Sequence, residues 1–202
     1  IQIQLLDTPP LDRDFIEPER RELLRRCDVL LLMVDLQAYP IEQLEESVAM
    51  LEGHRIFADH RQDRYTGARR ATFVPTLVVV NKVDDAGAEE DFEVLQELIG
   101  DEWSLLPLSV TQERNLDQLR QLVFDRLGIM RVYSKPPGKD PDLSRPYVLE
   151  LGSTVEELAA KVHQDFARDL KAARVWGIGV YDGQMVGRDH VLHDGDVVEL
   201  RI

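Results

Sequence analysis

The chain has 202 residues, with 24 basic and 38 acidic side chains for a formal net charge of -14. A hydrophobic share of 44% supports a packed core, and no apolar run approaches the ~20 residues that span a bilayer, which excludes a helical membrane protein. The single cysteine, Cys27, excludes a disulfide framework and fits a reducing, cytoplasmic setting.

Ile1 to Leu6 opens the chain in strand-like alternation and without methionine, as though a longer chain were joined in mid-strand. Asp7, in Leu5-Leu6-Asp7-Thr8-Pro9-Pro10, then ends that expected strand. Two roles are open to it: a turn or cap aspartate, or an acid holding a magnesium-bound water beside a terminal phosphate. A helical stretch over Glu19–Arg26 leads to a strand over Val29–Val34, and a second helix covers Ile41–Leu51. Cys27, just before the buried strand, is expected in the core.

Residues 53–75 hold five arginines and two histidines against two aspartates. So long a connection is expected to be a solvated insertion, with contact to phosphate or RNA as the alternative. Strands follow at Thr76–Val80 and Trp103–Leu108, with helices at Glu89–Ile99 and Leu116–Leu127. Strands of near-continuous valine and leucine, alternating with amphipathic helices, predict a doubly wound α/β domain built on a parallel sheet. Ligand chemistry then belongs at the carboxyl ends of the strands.

Composition shifts at Lys135-Pro136-Pro137-Gly138. Residues 1–130 carry 14 basic and 26 acidic side chains, whereas residues 131–202 carry 10 and 12, so nucleic-acid contact is expected in the second part or at local basic patches. Short strands at Arg131–Ser134, Tyr147–Leu151, Ala173–Trp176, Gln184–Val186 and Val197–Ile202 surround one helix from Val155 to Leu170. Thr154 and Glu157 form a capping box at its start. This predicts a small α+β domain, its turns marked by Asp182-Gly183 and Asp194-Gly195. Trp176 is expected in its core, with base stacking as the alternative. His163, His190 and His193 lack metal-ligand spacing and read as structural or surface residues.

The strongest chemical signal is Asn81-Lys82-Val83-Asp84, directly after Thr76–Val80. Guanine presents an exocyclic amine beside a ring N–H, and one carboxylate, that of Asp84, can accept both; adenine lacks that pair of donors. Asn81 can bond the N7 edge and pin the neighbouring loop, and the Lys82 stem can cover the base plane. The competing reading makes Asp84 a helix cap. After the next strand, Ser109 can tighten its loop so that the Val110 N–H faces a base carbonyl.

Together these motifs resemble the guanine-nucleotide-binding domain of translation-factor-class GTPases: Asn81–Asp84 matches the base-specificity motif, Ser109-Val110 the second base motif, and Asp7–Pro10 the Asp-x-x-Gly phosphate-sensing motif. Pro10 stands where that family has glycine and offers no N–H. No Gly-x-x-x-x-Gly-Lys-Ser/Thr phosphate loop occurs in the 202 residues. From Arg131 onward, the Lys135–Gly138 start, Val175-Trp176-Gly177 and Asp194-Gly195-Asp196 resemble a TGS domain, a β-grasp module, in particular that of the developmentally regulated GTP-binding proteins, relatives of the Obg GTPases. The resemblance implies a partial P-loop-type GTPase domain over 1–130 that lacks its phosphate loop, followed by a TGS domain over 131–202. It also implies GTP/GDP and magnesium as ligands of the intact protein, hydrolysis by that protein but not by this chain alone, and contact with ribosome, RNA or a protein partner through the TGS domain. The alternative is a non-catalytic TGS interaction module on a degenerate nucleotide-binding scaffold. A piece of a synthetase or stringent-response enzyme is disfavoured, because Asn81–Asp84 precedes the TGS domain.

Overall fold

A computed structural model describes residues 1–9, 16–67 and 69–202, which divide into two compact units, 5–127 and 1–4 with 128–202. Pro10 lies outside the described residues. Among those described, no helix is long and apolar enough to cross a membrane.

In the first unit α1 (Pro18–Arg26) precedes β1 (Leu30–Asp35), and α2 (Pro40–Gly53) follows it. Pro18 and Pro40 open their helices, where a missing N–H costs nothing. After β2 (Ile56–Ala58), a 3-10 turn (Asp59–Arg64) and β3 (Thr72–Val74) come β4 (Thr76–Asn81), α3 (Ala86–Ile99), β5 (Leu105–Pro107) and α4 (Leu116–Arg126). The main sheet is wholly parallel in the order β1-β4-β5. Thr76 through Val80 are all buried, so the central strand is covered on both faces and has no alternation to show. Register places Asp35 beside Asn81 at the carboxyl edge of this sheet.

Three expectations for the chain before residue 128 fail. Ile1–Leu6 is not a strand: the segment has no regular structure, and Ile1, Ile3, Leu5 and Leu6 are exposed. Alternation suits a half-buried strand, but a strand forms only where a neighbour supplies its backbone partners, and none among the described residues does so. Residues 53–75 are a solvated insertion only in part: Arg64, Arg69 and Arg70 are exposed, but the two ends of the stretch are built into the unit. There β2 and β3 form their own parallel pair, with Ile56 and Val74 buried and the rings of Phe57, Tyr65 and Phe73 packed with centroids 4.8–5.9 Å apart. Arg61 bonds Glu52 and lies 2.8 Å from Glu102, which Arg64 meets at 2.7 Å, so these two cations are already neutralised. Cys27 is only half-buried at the core margin, where burial pushes its thiol pKa up.

The second unit contains β6 (Ile129–Ser134), β7 (Tyr147–Glu150), α5 (Val155–Val162), α6 (Gln164–Asp169), β8 (Ala172–Trp176), β9 (Gln184–Val186) and β10 (Val197–Arg201). Its sheet runs β7-β6-β10-β8-β9, with β10 parallel to β6 and the other pairs antiparallel. Met130, Val132, Val155, Leu158, Ala173, Val175 and Val198 are fully buried in its core. The capping box is present: the Thr154 N–H donates to Glu157 Oε2 at 2.7 Å, and the Glu157 N–H donates to Thr154 Oγ1. The single expected helix is two, because His163 is extended (φ -168°, ψ 146°) and its Nδ1 caps the second by accepting from the Asp165 N–H. Trp176 is half-buried instead of central, with the Lys135 ammonium 5.0 Å from its ring centroid. A Cβ at Gly177 would collide with the buried Asp196 carboxylate, a close approach only glycine permits.

Arg131 grips Asp194 through its backbone N–H (2.6 Å), Nε (3.0 Å) and Nη2 (2.6 Å). These bonds, the guanidinium's foremost, hold the Asp194 carboxyl below the usual carboxylate range. A depressed folded-state pKa stabilises above the unfolded value of 3.8 and is lost as pH falls through the lower folded value. Asp194→Asn is therefore expected to lower stability at pH 7 yet to lose less between pH 5 and pH 2, as read from urea midpoints of the 128–202 signals; parallel acid profiles for variant and wild type would disprove the coupling.

Candidate functional site

The carboxyl ends of β1, β4 and β5 converge on a small polar group. Asn81 closes β4 and Lys82 turns the chain with φ +71°, a left-handed conformation that a non-glycine residue keeps only where its surroundings hold it. Val83 is buried and its N–H donates to Leu108 O at 3.0 Å, which locks the turn to the end of β5. The capping role then falls to Asp85, whose Oδ1 accepts from the Ala88 N–H at 2.9 Å. Asp84 is thereby released from capping.

The Asp84 carboxylate faces the next loop. Its Oδ1 accepts from Ser109 Oγ at 2.5 Å and from Thr111 Oγ1 at 2.9 Å, while Oδ2 makes no hydrogen bond among the described residues. Ser109 is fully buried. Its Oγ also accepts from the Gln112 N–H at 3.0 Å, and its backbone exchanges hydrogen bonds with Arg114. This closes the loop and leaves Val110 exposed at the tip, its N–H unbonded among the described residues. Asn81 Oδ1 is buried without a hydrogen-bond partner among the described residues, the kind of orphan acceptor that a completed site is expected to satisfy.

Two participants escaped the sequence reading. Asp35, at the end of β1, meets Lys82 Nζ at 2.6 Å; that bond holds the Asp35 carboxyl below its ordinary range. Gln43 brackets the Asp35 backbone, accepting from its N–H and donating to its C=O, both at 3.0 Å. The signal for Asp35 was an acid ending a buried apolar run, the same signal that singled out Asp7. Thr111 carried no signal beyond standing two residues after Ser109.

Five of the six expected site residues, Asn81, Lys82, Asp84, Ser109 and Val110, thus gather at one sheet edge. Asp7 does not share their setting. It is exposed in an irregular segment, and no group of three His, Cys, Asp or Glu among the described residues is placed to hold a metal ion.

A short parallel α/β sheet with its polar turns at the carboxyl edge, followed by a five-stranded sheet wrapped on short helices, is a partial P-loop-type GTPase domain with a β-grasp module. Residues 130–202 match the TGS domain family. The chain is 38% identical over 138 residues to an uncharacterized GTP-binding protein of Methanocaldococcus jannaschii, covering 67% of this chain and 35% of the relative. It is 34% identical over 145 residues to developmentally-regulated GTP-binding protein 1 of Xenopus laevis (71% and 38%) and 35% identical over 130 residues to ribosome-interacting GTPase 1 of Saccharomyces cerevisiae (63% and 34%). In fold it is similar to the YchF GTPase of Schizosaccharomyces pombe, at TM-score 0.51 and 12% identity over 91% of this chain and 60% of that one. The chain is homologous to the Obg-related GTP-binding proteins of the developmentally regulated type and carries their TGS domain. It spans just over a third of the length of the curated relatives it matches.

Proposed function

We propose that Asn81, Lys82, Asp84, Ser109 and Val110 form the guanine-recognition part of a GTP/GDP site, in a GTP-binding protein of the Obg-related, TGS-containing class. The observation that carries this reading is the division of labour between neighbours: Asp85 caps α3, and Asp84 is left with a free oxygen, buttressed by a buried serine from the adjacent loop. Asp84 accepts the ring N–H and exocyclic amine of guanine, the Asn81 amide meets the N7 edge, the exposed Val110 N–H serves the base carbonyl, and the Lys82 stem lies along the ring. GTP hydrolysis by the intact protein and action at the ribosome or RNA through the TGS domain complete the proposal, supported by relatives named as GTP-binding and, in one case, ribosome-interacting. The competing reading, a scaffold without turnover, draws on Pro10, which has no N–H to offer a terminal phosphate.

Without a phosphate loop in its 202 residues, this chain is expected to bind GTP no better than guanosine, since the loop supplies most of the phosphate contacts. Amide chemical-shift titrations with guanosine, adenosine and GTP are the measurement. Guanosine should perturb residues 81–84 and 109–111 where adenosine does not, and Asp84→Ala should abolish the effect. Submicromolar GTP affinity by calorimetry would overturn the expected weakness of GTP binding, and an equal response to adenosine would overturn the guanine reading.

A further inference from the structure

We infer that Thr111 competes with the incoming base for the Asp84 carboxylate and so limits how well the site distinguishes guanine from a purine lacking the exocyclic amine; this rests on the base pocket proposed for Asp84 and its neighbours. A carboxylate oxygen has two lone pairs. Those of Asp84 Oδ1 are both taken, by Ser109 Oγ at 2.5 Å and Thr111 Oγ1 at 2.9 Å, and those of Oδ2 are open among the described residues. The two donors of a guanine edge lie side by side and engage the two oxygens one each. One of them therefore arrives at an oxygen that is already saturated.

The two hydroxyls are not equally able to yield. Ser109 is fully buried and anchored a second time by the Gln112 N–H, and displacing it would strand a polar group in the interior. Thr111 is exposed, and its only other polar neighbour among the described residues is Ser109 Oγ at 3.2 Å, so its hydroxyl can turn to water. The base displaces Thr111, and the bond lost is a charge-assisted one. A purine with the ring N–H but no amine, such as the base of inosine, needs one acceptor only. It takes Oδ2 and leaves Thr111 in place.

Thr111→Val, which removes the hydroxyl and keeps the branched shape, is expected to tighten guanosine binding about threefold to tenfold, the change that release of one exposed charge-assisted hydrogen bond yields. It should leave inosine binding unchanged. Thr111→Ser keeps the hydroxyl and should behave as wild type toward both. The experiment is a chemical-shift titration of the whole chain with guanosine and inosine, on wild type, both Thr111 variants and Asp84→Ala. Weaker guanosine binding in Thr111→Val, no change, or an equal gain for both nucleosides overturns the inference while leaving the pocket standing. Shifts that persist in Asp84→Ala, or no shifts in any protein at millimolar nucleoside, overturn the pocket reading itself and the inference with it.

Discussion

Asp84→Asn is expected to exchange guanine preference for xanthine preference. The amide keeps one acceptor, which still serves the ring N–H, but replaces the other with an N–H2 donor that faces the exocyclic amine of guanine and repels it. Xanthine has a carbonyl at that position, which the new donor can bond. Losing one charge-assisted hydrogen bond and leaving a donor opposed to a donor should weaken guanosine by about a hundredfold or more. Titrations of the variant with guanosine and xanthosine read this directly: the shifts at residues 81–84 and 109–111 should follow xanthosine. Undiminished guanosine binding would remove Asp84 from the site. Folding is not expected to suffer, because the helix is capped by Asp85 and the side-chain oxygen of the new amide can still accept from Ser109 and Thr111.

Leu158→Ala should be the most damaging single change in the second unit. Leu158 is fully buried in α5 and belongs to one core cluster with Met130, Val132, Leu149 and Val198 of the sheet. Truncating a buried leucine costs about 3 kcal/mol from lost transfer energy and the cavity left behind, a large share of what a domain of this size possesses. The midpoint of thermal unfolding followed by signals from 128–202 should fall by roughly 10–20 °C. Leu158→Met, which conserves volume, should cost less than half as much. A fall of under about 3 °C for the alanine variant would show that the site collapses around the change or is not core.

Much of the fold was legible because its signals are local. Thr76–Val80 is a run of apolar, mostly β-branched residues that only a strand covered on both faces tolerates, and Thr154 with Glu157 states a helix start within four residues. The break at His163 was not legible, since Val155, Leu158, Val162 and Phe166 keep helical spacing straight across it; what ends α5 is the extended backbone of one residue and the new cap its ring provides. The 53–75 stretch misled for a related reason. Counting its arginines says nothing of Glu52 and Glu102, which stand outside it in sequence and neutralise Arg61 and Arg64 in space.

What the sequence by itself determined is the class of the two domains and where two polar turns fall: Asn81 to Asp84 at the end of one buried strand, Ser109 and Val110 after the next. Spacing and residue type carry that much, because strand ends and turns obey short-range rules. Only the tertiary structure decided which aspartate caps the helix and which does not, that Lys82 answers to Asp35 across 47 residues of chain, and that Thr111 shares one Asp84 oxygen with Ser109. Each of these depends on where parallel strands place side chains from distant segments, and hydrogen bonds set over 2.5–3.0 Å are decided by that placement alone.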